Sequence, residues 1–98
     1  MTRYIRIEHV VLGTDLDRSR LDELLELDLV DYRRPEREVV EVAESDCEEL
    51  RAMLRLRDEL EINAAGVAAI VHMRRRMREL QEELRRLRGI ERMYVGAR

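Results

Sequence analysis

Residues 70–87 read Ile-Val-His-Met-Arg-Arg-Arg-Met-Arg-Glu-Leu-Gln-Glu-Glu-Leu-Arg-Arg-Leu. The apolar positions Ile70, Met73, Met77, Leu80, Leu84 and Leu87 recur at alternating spacings of three and four, and nearly every residue between them is Arg, Glu or Gln. Two apolar positions in seven form a stripe too narrow for the inward side of a globular helix, and they match the seam of a coiled coil. The spacing therefore predicts a helix that pairs with a second copy, with these six residues as the dimer interface. The alternative is that the stripe packs on the N-terminal half of its own chain. From Ile70 to Leu87 the helix spans roughly 27 Å. Gly89 stands where a left-handed cap would end it, so a dimerisation helix is expected over 63–89 and a tail over 90–98. Orientation stays open on charge alone. With Ile70 at position a, Arg76 and Glu83 attract across an antiparallel pair, and Glu83 and Arg88 across a parallel one.

The chain of 98 residues has room for one domain and an appendage. All 19 basic residues are Arg, 42% of the chain is charged, and Trp and Phe are absent, a composition of helices and surface ion pairs. Cys47 is the only cysteine, so no disulfide can form within one chain, and the N-terminus lacks the apolar run of a signal peptide. No apolar run approaches the ~20 residues that span a bilayer, because Arg74, Arg75 and Arg76 interrupt the longest one, which covers 64–73. A cytoplasmic protein is expected. The net charge of −3 is unevenly divided: residues 1–43 carry 7 Arg against 11 acids, −4, and residues 44–98 carry 12 Arg against 11 acids, +1. An acidic N-terminal half is the reverse of what phosphate neutralisation requires.

Before the long helix, Arg3 to Ile7 alternates in the manner of a short strand. Glu8 to Leu12 reads as a brief helix ended by Gly13, and Asp17 to Leu27 as a second helix with Leu21, Leu24 and Leu25 inward. Thr14 and Asp17 are spaced as a capping box for it. Tyr32 to Pro35 breaks the pattern, and Glu38 to Val42 reads as an extended segment able to pair with the first strand. Ser45 to Glu48 forms another capping-box pattern, opening a helix to about Glu61 with Cys47, Leu50, Met53, Leu54, Leu56 and Leu60 buried. Asn63 is placed to cap the final helix, so Glu61 to Asn63 is an elbow. The outline is mostly α: a helix-turn-helix head over 1–62 with a short two-stranded wing, then the long helix.

Glu8 to Leu21 looks like the first two helices of MerR-type regulators. Arg55-Leu56-Arg57-Asp58-Glu59-Leu60 followed by Ile62-Asn63-Ala64-Ala65-Gly66-Val67 is similar to the elbow of the CbpM-like chaperone-modulator proteins, in which an R-L-R-x-E-L run leads through I-N-x-x-G-[VI] into the dimer helix. The likeness covers roughly residues 3 to 88. It implies a MerR-like winged head whose long helices pair antiparallel in a homodimer. It also implies a function other than gene control: binding the J domain of a DnaJ-like co-chaperone, and inhibiting its co-chaperone and DNA-binding activity. The pattern usually holds Gly where Asp15 and Asp28 stand, at positions that demand a left-handed backbone, and the wing aromatic expected near Val42 is missing.

A J domain carries a basic second helix in its family, so the acidic set Asp22, Glu23, Glu26, Asp28 and Asp31 is the candidate partner-binding face. The alternative function is a MerR-type DNA-binding transcriptional regulator, for which Arg18 and Arg20 on the second helix and Arg33, Arg34 and Arg37 on the wing would be the contacts. Four acids share the second helix with those two arginines. No catalytic constellation, cofactor or metal is expected: His9 and His72 have no ligand-spaced neighbours, Cys47 has no adjacent base, and the four glycines form no phosphate-cradling loop. Arg74, Arg75, Arg76 and Arg78 form the strongest basic run, but Arg75 and Glu79, Arg78 and Glu82, and Glu82 and Arg86 are four apart and pair along the helix, so the run reads as a solvated face.

Overall fold

A computed structural model describes residues 1–11 and 16–96, and for Val95 and Gly96 the backbone alone. Gly13, Thr14 and Asp15 lie outside the described residues, so the stop expected at Gly13, the cap expected from Thr14 and the left-handed position expected at Asp15 do so too. The elements run β1 (Tyr4–Arg6), α1 (Ile7–Val10), α2 (Arg18–Leu25), β2 (Tyr32–Glu36), β3 (Val39–Ala43), a 3-10 turn (Glu44–Asp46), α3 (Cys47–Asp58) and α4 (Ala64–Gly96). They fall into two compact units, Met1–Ala68 and Ala69–Arg98. The first of these takes in the start of α4.

The head closes around Ile7, Leu21, Leu24, Leu25, Val40, Val42, Leu50, Met53 and Val67, all at most 1% exposed. Helix α2 is only eight residues long, too short to persist without packing, and its three inward leucines hold it in this core. Its N-cap is Asp17 itself, whose carboxylate accepts from the backbone N–H groups of Ser19 and Arg20. After α2 the chain turns through Asp28 at φ 59°, a left-handed residue at one of the positions where the resemblance expects Gly.

Three strands replace the expected two-stranded wing. Their order is β1-β3-β2, all neighbours antiparallel, with Ile5 opposite Val42 and Tyr32 opposite Val42 from the other side. The stretch from Tyr32 to Pro35, expected to break the pattern, is strand β2. It lies at a sheet edge, where Pro35 leaves no ladder hydrogen bond unmade, and an irregularity separates Arg33 from Glu36.

The capping box expected over Ser45–Glu48 does not form. Asp46 occupies the N-cap position of α3 with no side-chain cap, and its carboxylate instead accepts from the N–H of Asp31 at 2.8 Å. Helix α3 stops at Asp58, short of Glu61, so Leu56 is half-buried and Leu60 is 65% exposed where both were expected inside. Glu61 takes φ 53°, and the Ile62 N–H reaches back to the carbonyl of Leu56 at 3.1 Å. Asn63 then caps α4 as its sequence position suggests, with Oδ1 accepting from the N–H of Gly66 at 2.8 Å.

Helix α4 runs through Gly89, which therefore ends nothing, and the expected tail is helical to Gly96. A mid-helix Gly costs only about 1 kcal/mol against Ala, and the surrounding Leu, Arg, Ile, Glu and Met are helix-compatible with no Pro to stop them. The two glycines of α4 differ in their surroundings. A Cβ on Gly66 would sit 2.6 Å from Cγ2 of Ile62 and 3.3 Å from Oδ1 of Asn63, whereas one on Gly89 would meet nothing. Gly66→Ala is therefore expected to lower the melting temperature by forcing the elbow apart, and Gly89→Ala to raise it, because helix propensity then gains about 1 kcal/mol. Thermal melts of the two variants at matched protomer concentration check the opposite signs.

Candidate partner-binding face

On α2 the three buried leucines leave Ser19, Glu23 and Glu26 outward, with Asp22 half-buried beside them. Arg18 and Arg20 flank this face, and both are drawn sideways. Arg18 donates to Glu8 Oε1 at 3.0 Å and lies 3.5 Å from the carbonyl of Glu38. Arg20 donates to Asp58 Oδ1 at 3.0 Å and lies 3.6 Å from Asp17. The anions gain accordingly: the Glu8 carboxyl falls below its usual range because its own backbone N–H, and then Arg18, stabilise the charge, and the hydrogen bond to Asp58 holds Arg20 more firmly protonated.

The wing arginines are engaged in the same way. Arg33 on β2 pairs with Glu41 on β3 at 2.6 Å and stacks 4.2 Å above the centroid of the Tyr4 ring. Arg34 reaches Asp22 of α2 at 2.7 Å, which ties the wing to the helix, and lies 5.9 Å from the Tyr32 ring. Arg37, in the turn between β2 and β3, makes no ion pair with the described residues. Of the five arginines expected to touch phosphate under the regulator reading, four are thus spent on the chain's own acids.

The acidic set is thinned by the same pairing. Asp22 is taken by Arg34, and Glu23 lies 3.6 Å from Arg57 of α3. Asp31 accepts the Tyr4 hydroxyl at 3.0 and 3.1 Å, a hydrogen bond that raises the phenol pKa above its ordinary value. Glu26 and Asp28 stay exposed without an ion pair to the described residues. The structure thus keeps Asp22 and Glu23 on α2 with Glu26 as its C-cap, and places Asp28 and Asp31 on the segment that follows. Sequence reasoning does not reveal the cross-links, because Arg20–Asp58 and Arg34–Asp22 join residues 38 and 12 positions apart.

In the second unit, Met73, Met77, Leu80, Leu84 and Leu87 are 47–58% exposed along one stripe, while Ile70 is half-buried. The pairs Arg76–Glu79 and Arg85–Glu82 close over a single turn at 3.0 and 3.3 Å. Cys47 is buried, its thiol pushed up by desolvation, and no three metal-ligating side chains gather among the described residues. No helix among the described residues is long and apolar enough to cross a membrane.

Among known proteins, the family described as "MerR HTH family regulatory protein" matches residues 5–89. No curated protein and no solved structure matches the chain. The matched span takes in the helix-turn-helix, the sheet, the elbow and most of α4. The chain belongs to the MerR HTH family of regulatory proteins.

Proposed function

We propose that the protein is a non-catalytic, homodimeric modulator that binds the J domain of a DnaJ-like co-chaperone through the outward face of α2, and inhibits both its co-chaperone and its DNA-binding activity. One observation carries this reading: the helix that a DNA-reading relative would present to the groove shows Ser19, Glu23 and Glu26 outward. The arginines beside that face are held by Glu8 and Asp58. Such a face repels phosphate and suits a basic protein helix. The elbow sequence Ile62 to Val67, with Asn63 capping and Gly66 pressed against Ile62, supports the same assignment by its likeness to the chaperone modulators. The second reading, a DNA-binding transcriptional regulator, draws on Arg37 in the turn between β2 and β3, which makes no ion pair with the described residues and is free to meet a phosphate.

Titration of the full chain against a J domain from the same cell and against duplex DNA at moderate salt separates the two. Stoichiometric binding of the J domain with negligible DNA affinity is expected; sequence-selective duplex binding would overturn the proposal. Glu26→Lys is expected to weaken J-domain binding by roughly five- to tenfold, mainly through association rate and more strongly at low salt. Its stability should stay unchanged, since Glu26 is exposed and unpaired. Asp22→Lys is a poorer probe, because it also breaks the tie to Arg34.

A further inference from the structure

The two units differ sharply in charge. Residues 1–68 carry 10 Arg against 18 acids, −8, and residues 69–98 carry 9 Arg against 4 acids, +5. Within the second unit the surplus is concentrated. At ~100° per residue, Arg74, Arg78, Gln81, Arg85, Arg88 and Arg92 fall within about 80° of arc along one side of α4, beside the apolar stripe, and no other residue of 74–92 shares that arc. We infer that this strip is a docking surface for an acidic helical segment of a protein partner, separate from the face on α2. It stands whether or not α2 binds a J domain.

The two flanks of the stripe are unlike. On one, Arg76 pairs with Glu79 at 3.0 Å, and Glu83 and Arg86 follow, so that side is mixed in sign. On the other, every charged residue is an arginine, and all five are exposed. Arg85 reaches Glu82 in the neighbouring row at 3.3 Å, with side chains 73% and 77% exposed, a pairing that a better acceptor displaces at little cost. Arg88 and Arg92 make no ion pair with the described residues. Arg74 and Arg78, Arg85 and Arg88, and Arg88 and Arg92 stand three or four apart, where like charges on a helix repel. A row of anions laid along the strip relieves that repulsion.

The form of the strip selects among anions. Its five arginines follow a straight line over roughly 27 Å. Arg78, Arg85 and Arg92 are seven residues apart, the period at which a second helix running alongside presents its own side chains. Asp or Glu at that period would meet the arginines in turn, and each guanidinium fork can hold a carboxylate through two hydrogen bonds. The phosphates of a duplex wind around their axis and leave a straight line after a few contacts. A nucleic acid much longer than the strip also meets the charge of −8 on the unit joined to it. A short acidic helix feels mainly the charges within a Debye length, ~8–10 Å. The strip itself holds no apolar residue, so a lipid surface has nothing to bury there.

Fluorescence anisotropy with the full chain tests this. The probe is a labelled Ala-rich peptide of about 20 residues, long enough to hold a helix in water, with Glu spaced three and four apart on one face. A sequence isomer of equal helicity scatters the same glutamates around the helix. The parent chain is expected to bind the one-faced peptide roughly tenfold more tightly than the isomer, with affinity falling as salt rises. Arg88→Glu/Arg92→Glu should lose about tenfold, whereas Arg76→Glu/Arg86→Glu, with the same net charge but altered on the other flank, should lose less than about twofold. Glu26→Lys should bind the peptide as the parent does, which separates this surface from the one on α2. The comparison of the two peptides needs no variant. Equal affinity for both peptides, equal losses in the two double variants, or no binding would overturn the strip as a helix-docking surface. Tighter binding of an oligonucleotide of matched charge, or of phosphatidylserine vesicles, would overturn it in favour of a phosphate-binding surface.

Discussion

Leu80→Glu is expected to leave the protein monomeric at micromolar concentration, where the parent chain is expected to sediment as a dimer. Leu80 is 47% exposed in the single chain and stands at the middle of the stripe, next to Met77 at 58%. Burying apolar side chains of this kind is the main drive to associate, at ~25 cal/mol per Å² removed from water. Two-fold symmetry doubles the substitution: each dimer loses two leucines and must desolvate two carboxylates against methionine. A charge placed in such a contact without a partner costs several kcal/mol, and about 4 kcal/mol corresponds to a thousandfold change in Kd. Leu80→Met conserves volume and apolarity, so it should keep the dimer. Sedimentation equilibrium across a concentration series checks all three chains. A parent that stays monomeric, or a Leu80→Glu variant that still dimerises, would show that the stripe has another occupant.

How much of this molecule was legible in its sequence depended on whether the deciding interaction was local. Asn63 could be read as a cap because its partner, Gly66, is three residues on, and the amphipathic spacing of α2 placed Leu21, Leu24 and Leu25 inward as found. The long helix was legible over the stripe for the same reason. Its end was not, because Gly89 is a stop signal only when the chain beyond it has something better to do than stay helical, and Ile90 to Gly96 does not. Strand β2 was hidden because Arg33, Arg34 and Glu36 are all exposed and only Tyr32 turns partly inward, so no alternation survives in the sequence; its place is set from across the sheet by β3, with Arg33 on Glu41. The Ser45–Glu48 motif misled for a related reason. Asp46 is recruited by the N–H of Asp31, fifteen residues away, and the local box loses to that longer-range bond.

The candidate face shows the same division. Residue types and their helix face were available from spacing, but the net character of the surface was not. An acidic tally over 1–43 suggests a strongly negative head, whereas the folded head pairs Asp22, Glu23 and Glu41 with Arg34, Arg57 and Arg33. What remains for a partner is Glu26 and Asp28 beyond the helix's last turn, with Ser19 and the paired acids alongside. Exposed pairs of this kind contribute only ~0–1 kcal/mol each to stability, so a partner with strong basic groups can compete for Asp22 and Glu23 at little cost.

Leu21→Ala is expected to cost the head about 2–5 kcal/mol, against a total that for a domain of this kind is ~5–15 kcal/mol. Leu21 is fully buried at the centre of α2, and α2 packs on α3. With eight residues and a single side-chain cap at Asp17, this helix has little stability of its own, so losing one of three anchors removes much of what fixes its orientation. At an m-value of ~1–3 kcal/mol per M, the urea midpoint should fall by roughly 1–3 M, measured at fixed protomer concentration because association adds to apparent stability. Glu26→Lys, on the exposed side of the same helical segment, should move the midpoint by no more than the ~0.5 kcal/mol typical of surface changes. The two variants therefore separate scaffold from face. Leu21→Ala should weaken partner binding by loosening α2 and partially recover it when the head is stabilised by lower temperature or an excluded osmolyte, while Glu26→Lys should weaken binding with an intact fold and show no such recovery. Equal midpoints for Leu21→Ala and the parent would mean that α2 is held by something other than its leucines.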